Sequence, residues 1–202
     1  MDEGRIKTLP SGVKFIGRYI DEPSNPKSLT LEEVDLLNRY DIPIVSISEI
    51  GYPTSDEYFK AEKSKWTEMF SLQIKRMRRL GQPERSALYA AIDYDCVSLE
   101  ILRDFIETFI FEMNHAGYSA GFYGSAHVLD FCKCVNPHVK TWLSGSTGWT
   151  GYSEKYECDI RQIVLQGDYD KDIARSVTTI GAWLPRAAKP KYGIDGVTKP
   201  MI

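Results

Sequence analysis

The sequence is poor in cysteine and histidine, and it lacks a long apolar run. Its four cysteines among 202 residues are too few and too scattered for a disulfide scaffold, so reduced thiols are expected. Cys132 and Cys134 precede His138, but their C-x-C spacing is not the usual spacing of a zinc site. The sequence therefore predicts no metal and no cofactor. With no run of 18 apolar residues and no apolar core near Met1, it also predicts neither membrane insertion nor a signal peptide.

The charge balance shows no strong bias. The chain has 25 basic and 28 acidic side chains and a formal net charge of -3, so it has no basic field that would favour nucleic acid as a partner. A length of 202 residues is enough for a full core, and a single domain over residues 1–202 is expected. Aromatic residues make up 12% of the chain. Carbohydrate sites often use such side chains, although this composition alone does not decide the function.

Residues 87–95, Ala-Leu-Tyr-Ala-Ala-Ile-Asp-Tyr-Asp, combine an apolar run of strand length with two carboxylates at its end. The pattern is typical of a buried parallel strand, whose carboxyl end lies where α/β sheets and barrels hold their active sites. Because side chains two apart on a strand share a face, Asp93 and Asp95 are expected to point into one cavity. The alternative is a capped strand end, in which Asp95 or Ser98 opens the following helix.

The other segments alternate between strands and helices. A second strand, at residues 42–48, is also followed by an acid, Glu49. About seven strands, with residues 192–195 as an eighth unit, predict a parallel α/β sheet that closes into a (β/α)8 TIM-like barrel. Acids at several strand ends would then meet at one mouth. The predicted helices begin at Thr30, cover residues 56–80 and 98–116 and begin again at Ser125, and a helical turn follows residues 168–172.

A series of short motifs extends over nearly the whole chain. They are, in order, Phe15-Ile-Gly-Arg-Tyr-Ile20, Leu29-Thr30, Val45-Ser-Ile-Ser-Glu49, Leu80-Gly-Gln-Pro83, Ala90-Ala-Ile-Asp-Tyr-Asp95, Gly117-Tyr118, Gly121-Phe-Tyr-Gly-Ser125, Thr141-Trp142-Leu143, Gln162 and Asp170-x-Asp172. Together they resemble the glycoside-hydrolase-like family known as domain of unknown function 1906. The joint order of the motifs is far more specific than any one of them.

This family is similar in fold to the family 25 lysozymes, which are (β/α) barrels that cleave the muramic acid side of the peptidoglycan backbone. The resemblance implies that bacterial cell-wall peptidoglycan is the substrate and partner. Family members usually begin with a Gly-aromatic/aliphatic-Asp strand, which in this chain matches residues 193–195. The hypothesis is a circular permutation in which the C-terminal segment supplies the first barrel strand, or completes a neighbouring chain's barrel by swapping. The oligomeric state is left open.

Glycoside hydrolysis needs one protonated carboxyl group that donates to the leaving oxygen, and a second, ionised one. Asp95 or Glu49 is the predicted proton donor, and Asp93 and Asp195 are the predicted partner carboxylates. In the related lysozymes the acid is the Glu of an Asp-x-Glu strand end, where this chain has Asp95. The resemblance also implies a set of substrate contacts, namely Arg18, Tyr123, Trp142, Gln162, Asp170 and Asp172.

Two further functions stay open. A non-catalytic module would hold a glycan or wall peptide in the same mouth without cleaving it, and the absence of the lysozyme Glu favours this alternative. A metal-dependent hydrolase would use Asp93, Asp95 and Asp195. A cell-wall substrate without a signal peptide predicts a cytoplasmic chain that is released by phage lysis or exported by a non-classical route.

Overall fold

The structure of the chain is a computed structural model that describes residues 2–22, 24–166 and 169–185. Within these residues seven strands form one sheet, and their order in the sheet is their order along the chain. The strands are β1 (Ile16–Tyr19), β2 (Ile44–Ser48), β3 (Ala87–Ala91), β4 (Ser119–Gly124), β5 (Lys140–Leu143), β6 (Ile160–Gln166) and β7 (Tyr169–Ala174).

Helices connect most of the strands. Thr30 begins the second helix as predicted, because its side chain accepts a hydrogen bond from the main-chain N–H of Glu33. Ser125 caps the last helix in the same way through the N–H of Val128. The helices are α1 (Glu3–Lys7), α2 (Leu31–Arg39), α3 (Asp56–Phe59), α4 (Lys63–Arg79), a 3-10 turn (Leu99–Leu102), α5 (Arg103–His115) and α6 (Ala126–Val135).

The sheet is parallel from β1 to β6, and β7 runs antiparallel to β6. Only two residues separate Gln166 from Tyr169, which is far too short for the crossover that a parallel neighbour would need. The helical turn predicted after residues 168–172 comes only after β7, where the N–H of Ile180 donates to the carbonyl of Ser176 at 3.3 Å. The sequence did not predict β7 itself. Asp170 and Asp172 lie at positions of β7 where a strand usually has apolar residues on its inner face, so β7 lacks the apolar alternation by which a strand is recognised in a sequence.

The sheet is curled, as contacts across its concave face show. A Cβ atom placed on Gly17 of β1 would lie 2.8 Å from Cη2 of Trp142 on β5, although β1 and β5 are not neighbours in the sheet. The curled, mixed α/β sheet confirms the predicted architecture in its general form and corresponds to a barrel that is partly formed. The predicted eighth strand at residues 192–195, with Asp195, lies outside the described residues.

The core has two layers, one on each face of the sheet. The convex face packs against the helices through a cluster of aromatic rings that includes Trp66, Phe105 and Phe109. The concave face carries a smaller interior in which Tyr89 donates from its hydroxyl group to the carbonyl of Ile180 at 2.9 Å. Beside this contact the N–H of Ala87, at the amino end of β3, donates to the carbonyl of Gly181 at 2.9 Å, so residues 180–181 lie at the end of the interior opposite the carboxyl ends of the strands.

The helix predicted over residues 56–80 is two helices, α3 and α4. Ala61 and Glu62 favour helix, so the break between Phe59 and Lys63 does not follow from local propensity. A tertiary contact holds α3 in its own orientation instead: the Tyr58 hydroxyl donates to the carbonyl of Ile50 at 2.6 Å. The helix predicted over residues 98–116 likewise begins as a 3-10 turn. In the part of the chain that the structure describes, no helix is long and apolar enough to cross a membrane.

Candidate active site

Two acids meet at the carboxyl ends of β2 and β3. These strands are parallel neighbours with Ser48 opposite Ala90, so the residues that follow them leave the sheet at the same edge. Glu49 comes directly after β2, and Asp93 lies two residues after β3. Their half-buried carboxyl groups lie within hydrogen-bonding reach of each other. The predicted convergence of acids from separate strands is therefore found for this pair.

The pair is arranged to keep a proton. Burial raises the pKa of Glu49, and both the negative charge of Asp93 and the hydrogen bond to it raise that pKa further. Burial also raises the pKa of Asp93, but its hydrogen bond with Glu49 acts in the opposite direction. The positive charge of Lys27 lowers the pKa of both groups. Both pKa values are raised overall, so the pair retains a proton to higher pH than two separate carboxyl groups would.

A second acidic pair comes from the hairpin of β6 and β7. Asp172 is opposite Gln162 in the register and accepts a hydrogen bond from Nε1 of Trp142 at 2.9 Å. Burial raises the pKa of Asp172 to about 7, and the charge of Asp170 contributes to the shift, while the indole hydrogen bond opposes it. The charge of Asp170 also raises the pKa of Asp93, so the acids of β7 interact with the pair that follows β2 and β3.

Two tyrosines line the space between these acids. Tyr19 lies at the end of β1, and Tyr123 lies in β4. Burial raises the pKa of both hydroxyl groups, and the charges of Asp93 and Asp170 raise it further in each case. Both hydroxyl groups therefore stay protonated, and both interact with Asp93 and with Asp170. Lys27 lies 5.7 Å from the centre of the Tyr19 ring.

A polar cluster fixes the side chains beside the mouth. The Tyr123 hydroxyl lies 3.0 Å from both Ser144 Oγ and Gln162 Oε1. Gln162 is 5% exposed and also accepts from the N–H of Gly145 at 2.9 Å, so its buried amide has the polar partners expected of such a group. Trp142 packs edge to face against Tyr123, with 5.9 Å between the ring centres. Three of the predicted sugar contacts, Tyr123, Trp142 and Gln162, are thus adjacent.

Two other predicted site residues are placed elsewhere. Asp95 does not share the cavity with Asp93, because it accepts hydrogen bonds from the N–H of Thr150 at 2.8 Å and from its hydroxyl at 2.9 Å. It thereby anchors the loop between β5 and β6. Arg18 points to the convex face of β1 and pairs with Glu33 of α2 at 2.6 Å. The mouth lies on the concave face, so the structure does not place Arg18 among the substrate contacts.

Asp21 is a site residue that the sequence reasoning missed. It follows Ile20 just beyond β1, is 3% exposed and accepts a hydrogen bond from the N–H of Glu49 at 3.1 Å. The sequence did contain a signal for Asp21, because an apolar strand that ends in an acid is the same pattern that identified Glu49 and Asp93.

Within the described ranges, no group of three His, Cys, Asp or Glu side chains is arranged to hold a metal ion.

A curled, mainly parallel α/β sheet with acids and aromatic rings at its carboxyl end is the arrangement of glycoside-hydrolase-like barrels. The family model of Rv2525c-like, glycoside hydrolase-like domains matches residues 6–188. The chain therefore belongs to this family, and the resemblance found in the sequence motifs is confirmed. No curated protein matches the chain significantly.

Three solved structures show the same fold. Rv2525c, a Tat-secreted protein of Mycobacterium tuberculosis crystallised with HEPES, is 18% identical with a TM-score of 0.66, over 84% of this chain and 88% of that one. An uncharacterized B. stearothermophilus protein is 18% identical with a TM-score of 0.59, over the same shares of the two chains. The modular autolysin LytC from Streptococcus pneumoniae is 11% identical with a TM-score of 0.50, over 84% of this chain and 38% of that one.

Proposed function

We propose that the chain is a glycoside hydrolase that cleaves bacterial cell-wall peptidoglycan with carboxylate acid and base groups. The observation that carries the proposal is the hydrogen-bonded pair of Glu49 and Asp93, in which burial of both groups and the charge of Asp93 retain a proton beside Tyr19 and Tyr123. A retained proton is what the leaving oxygen of a glycosidic bond requires. The substrate class is taken from the fold relation to an autolysin.

In this mechanism Glu49 donates its proton to the glycosidic oxygen, and Asp93 holds Glu49 in place. The two groups are too close together for a sugar to lie between them, so the second carboxyl group comes from across the mouth. We assign this role to Asp170, and the support is that its charge acts on Asp93 and on both tyrosines. Trp142, Tyr123 and Gln162 provide the ring surface and hydrogen bonds for the sugar.

Residues 192–195 are proposed to close the sheet as its eighth strand, which would complete the (β/α)8 barrel. Asp195 would then end this strand at the same edge as Glu49 and Asp93, and would be a further partner carboxylate. This proposal also requires the chain to reach the wall, either by lysis or by export. Rv2525c of Mycobacterium tuberculosis, which shares the fold, is Tat-secreted.

The test is hydrolysis of purified cell walls, followed by turbidity and by the release of reducing ends. Glu49→Gln and Asp93→Asn each keep the size of the side chain and remove the acid, and each should lower the rate by about 10²- to 10⁴-fold. Glu32→Gln makes the matched change at an exposed position of α2 and should match the wild type. Equal clearing by all four proteins would reject the assignment.

A second candidate function is a module that binds a wall glycan without cleaving it. The observation in its favour is that Asp95, which occupies the position of the lysozyme acid, is bound to Thr150 and does not serve the mouth. Sedimentation of the chain with insoluble peptidoglycan, combined with no release of reducing ends over the same period, would establish binding and exclude hydrolysis.

A further inference from the structure

A buried carboxyl group lies directly beneath Glu49. Asp21 follows β1 and accepts, at Oδ1, the N–H of Glu49 at 3.1 Å and the hydroxyl of Ser48 at 3.4 Å. Its other oxygen, Oδ2, accepts from Nδ2 of Asn25 at 3.4 Å. Burial raises the pKa of Asp21, and the hydrogen bonds from Glu49 and Ser48 lower it in part, because all three neighbours donate and an ionised carboxylate has only acceptor sites.

The network continues into the helical layer. Gln73 of α4 is 1% exposed and donates from Nε2 to the oxygen of Ser48, so the Ser48 hydroxyl is left to donate to Asp21. Arg76, one turn further along α4, opposes the effect of burial on the pKa of Asp21 through its positive charge. Asp21 is thereby fixed by groups from β2, from the loop after β1 and from α4.

We propose that Asp21 is a positioning residue: it fixes the main chain at Glu49, and its buried negative charge favours the protonated form of Glu49. This inference rests on the proposed function, in which Glu49 is the proton donor. The Glu49 amide cannot move away from Asp21 without leaving a buried carboxylate short of a donor, which is costly. The main chain at Glu49 is therefore held in place, and this keeps the Glu49 side chain oriented toward Asp93.

Other charged groups around Asp21 and Glu49 also affect the pKa values of these two carboxyl groups. Glu22, the next residue in the chain, raises the pKa of Asp21, and the hydroxyl of Tyr58 on α3 is sensitive to the Asp21 charge. Glu49 itself faces Asp93, whose charge raises its pKa, and Lys27, whose charge lowers it. Asp21 acts with Asp93 and against Lys27, so its loss shifts Glu49 toward the ionised form.

Asp21→Asn tests the inference, because it keeps an acceptor oxygen for the Glu49 amide and removes the charge. The carboxyl ¹³C resonance of Glu49, followed by NMR as a function of pH, should titrate at lower pH in the variant than in the wild type. Glu22→Gln removes the exposed charge beside Asp21 and should leave the Glu49 titration unchanged. An unchanged Glu49 titration in a folded Asp21→Asn chain would overturn the inference.

Two further measurements distinguish a failure of this inference from a folding defect of the variant and from a failure of the proposed function. In the wild type, the Glu49 amide proton must shift at the pH where Asp21 titrates, because Asp21 accepts it; a constant shift would overturn the inference even if the variant did not fold. Where walls are cleaved, Asp21→Asn should move the alkaline limb of the kcat profile to lower pH with little change in KM. If wild type cleaves nothing, the hydrolase proposal fails, while the NMR titration still decides the positioning.

Discussion

Asp172 lies on the concave face of β7, where it accepts a hydrogen bond from Trp142 and where burial raises its pKa from 3.8 to about 7. Because the folded-state pKa is the higher one, the folded chain binds more protons than the unfolded chain between these two values. The stability of the fold therefore decreases as the pH rises through this window. The raised pKa of Asp172 is expected to lower the free energy of unfolding by about 4 kcal/mol at pH 8, but by only about 0.5 kcal/mol at pH 4.

Asp172→Asn removes this charge and retains an oxygen that can accept from Trp142. The free energy of unfolding, measured by urea denaturation from pH 4 to pH 8, should exceed that of the wild type by an amount that grows with pH. Any fixed cost of the new amide group adds equally at every pH, so the change of the difference with pH is the diagnostic quantity. Asp35→Asn, at an exposed position of α2, controls for the change in net charge. A difference that stays constant from pH 4 to pH 8 would refute the reasoning.

Two other changes have defined outcomes. Lys27→Gln removes the positive charge that lowers the pKa of Glu49, so the alkaline limb of the hydrolysis profile should move to higher pH; movement to lower pH would contradict the assigned interaction. Gly17→Ala places a Cβ atom 2.8 Å from the Trp142 ring and should lower the free energy of unfolding by about 1–3 kcal/mol, as measured in urea. Gly148→Ala, which has open space around the new atom, is the control, and equal effects of the two alanines would disprove the contact across the sheet.

The general architecture could be predicted because its signals are local and periodic. The apolar runs of β2 and β3 each end near an acid, and parallel pairing brings these ends together without any further information. The prediction failed at Asp95 because the alternation of side chains holds only within a strand. β3 ends at Ala91, and beyond it the path of the chain is set by loop contacts such as the N–H of Asp93 to the carbonyl of Pro53 at 3.0 Å.

The misplacement of Arg18 has a different origin. Arg18 and Tyr19 are consecutive in β1, so they point to opposite faces, and only Tyr19 reaches the mouth. A match to the whole Phe15–Ile20 motif does not show which of its side chains faces the mouth. β7 was missed because its inner face carries acids, and a strand with a polar inner face has no apolar alternation to reveal it.

The energetic cost of the mouth bears on the choice between hydrolysis and simple binding. A module that only holds a glycan needs aromatic surface and hydrogen-bonding groups, and neither requires carboxyl groups that are withdrawn from water. Glu49, Asp93 and Asp172 all have pKa values raised by burial, so each reduces the stability of the fold once it ionises. Such destabilisation is useful where a carboxyl group must hold a proton near neutral pH and release it to a substrate. The arrangement of these acids therefore favours the hydrolase over the binding module.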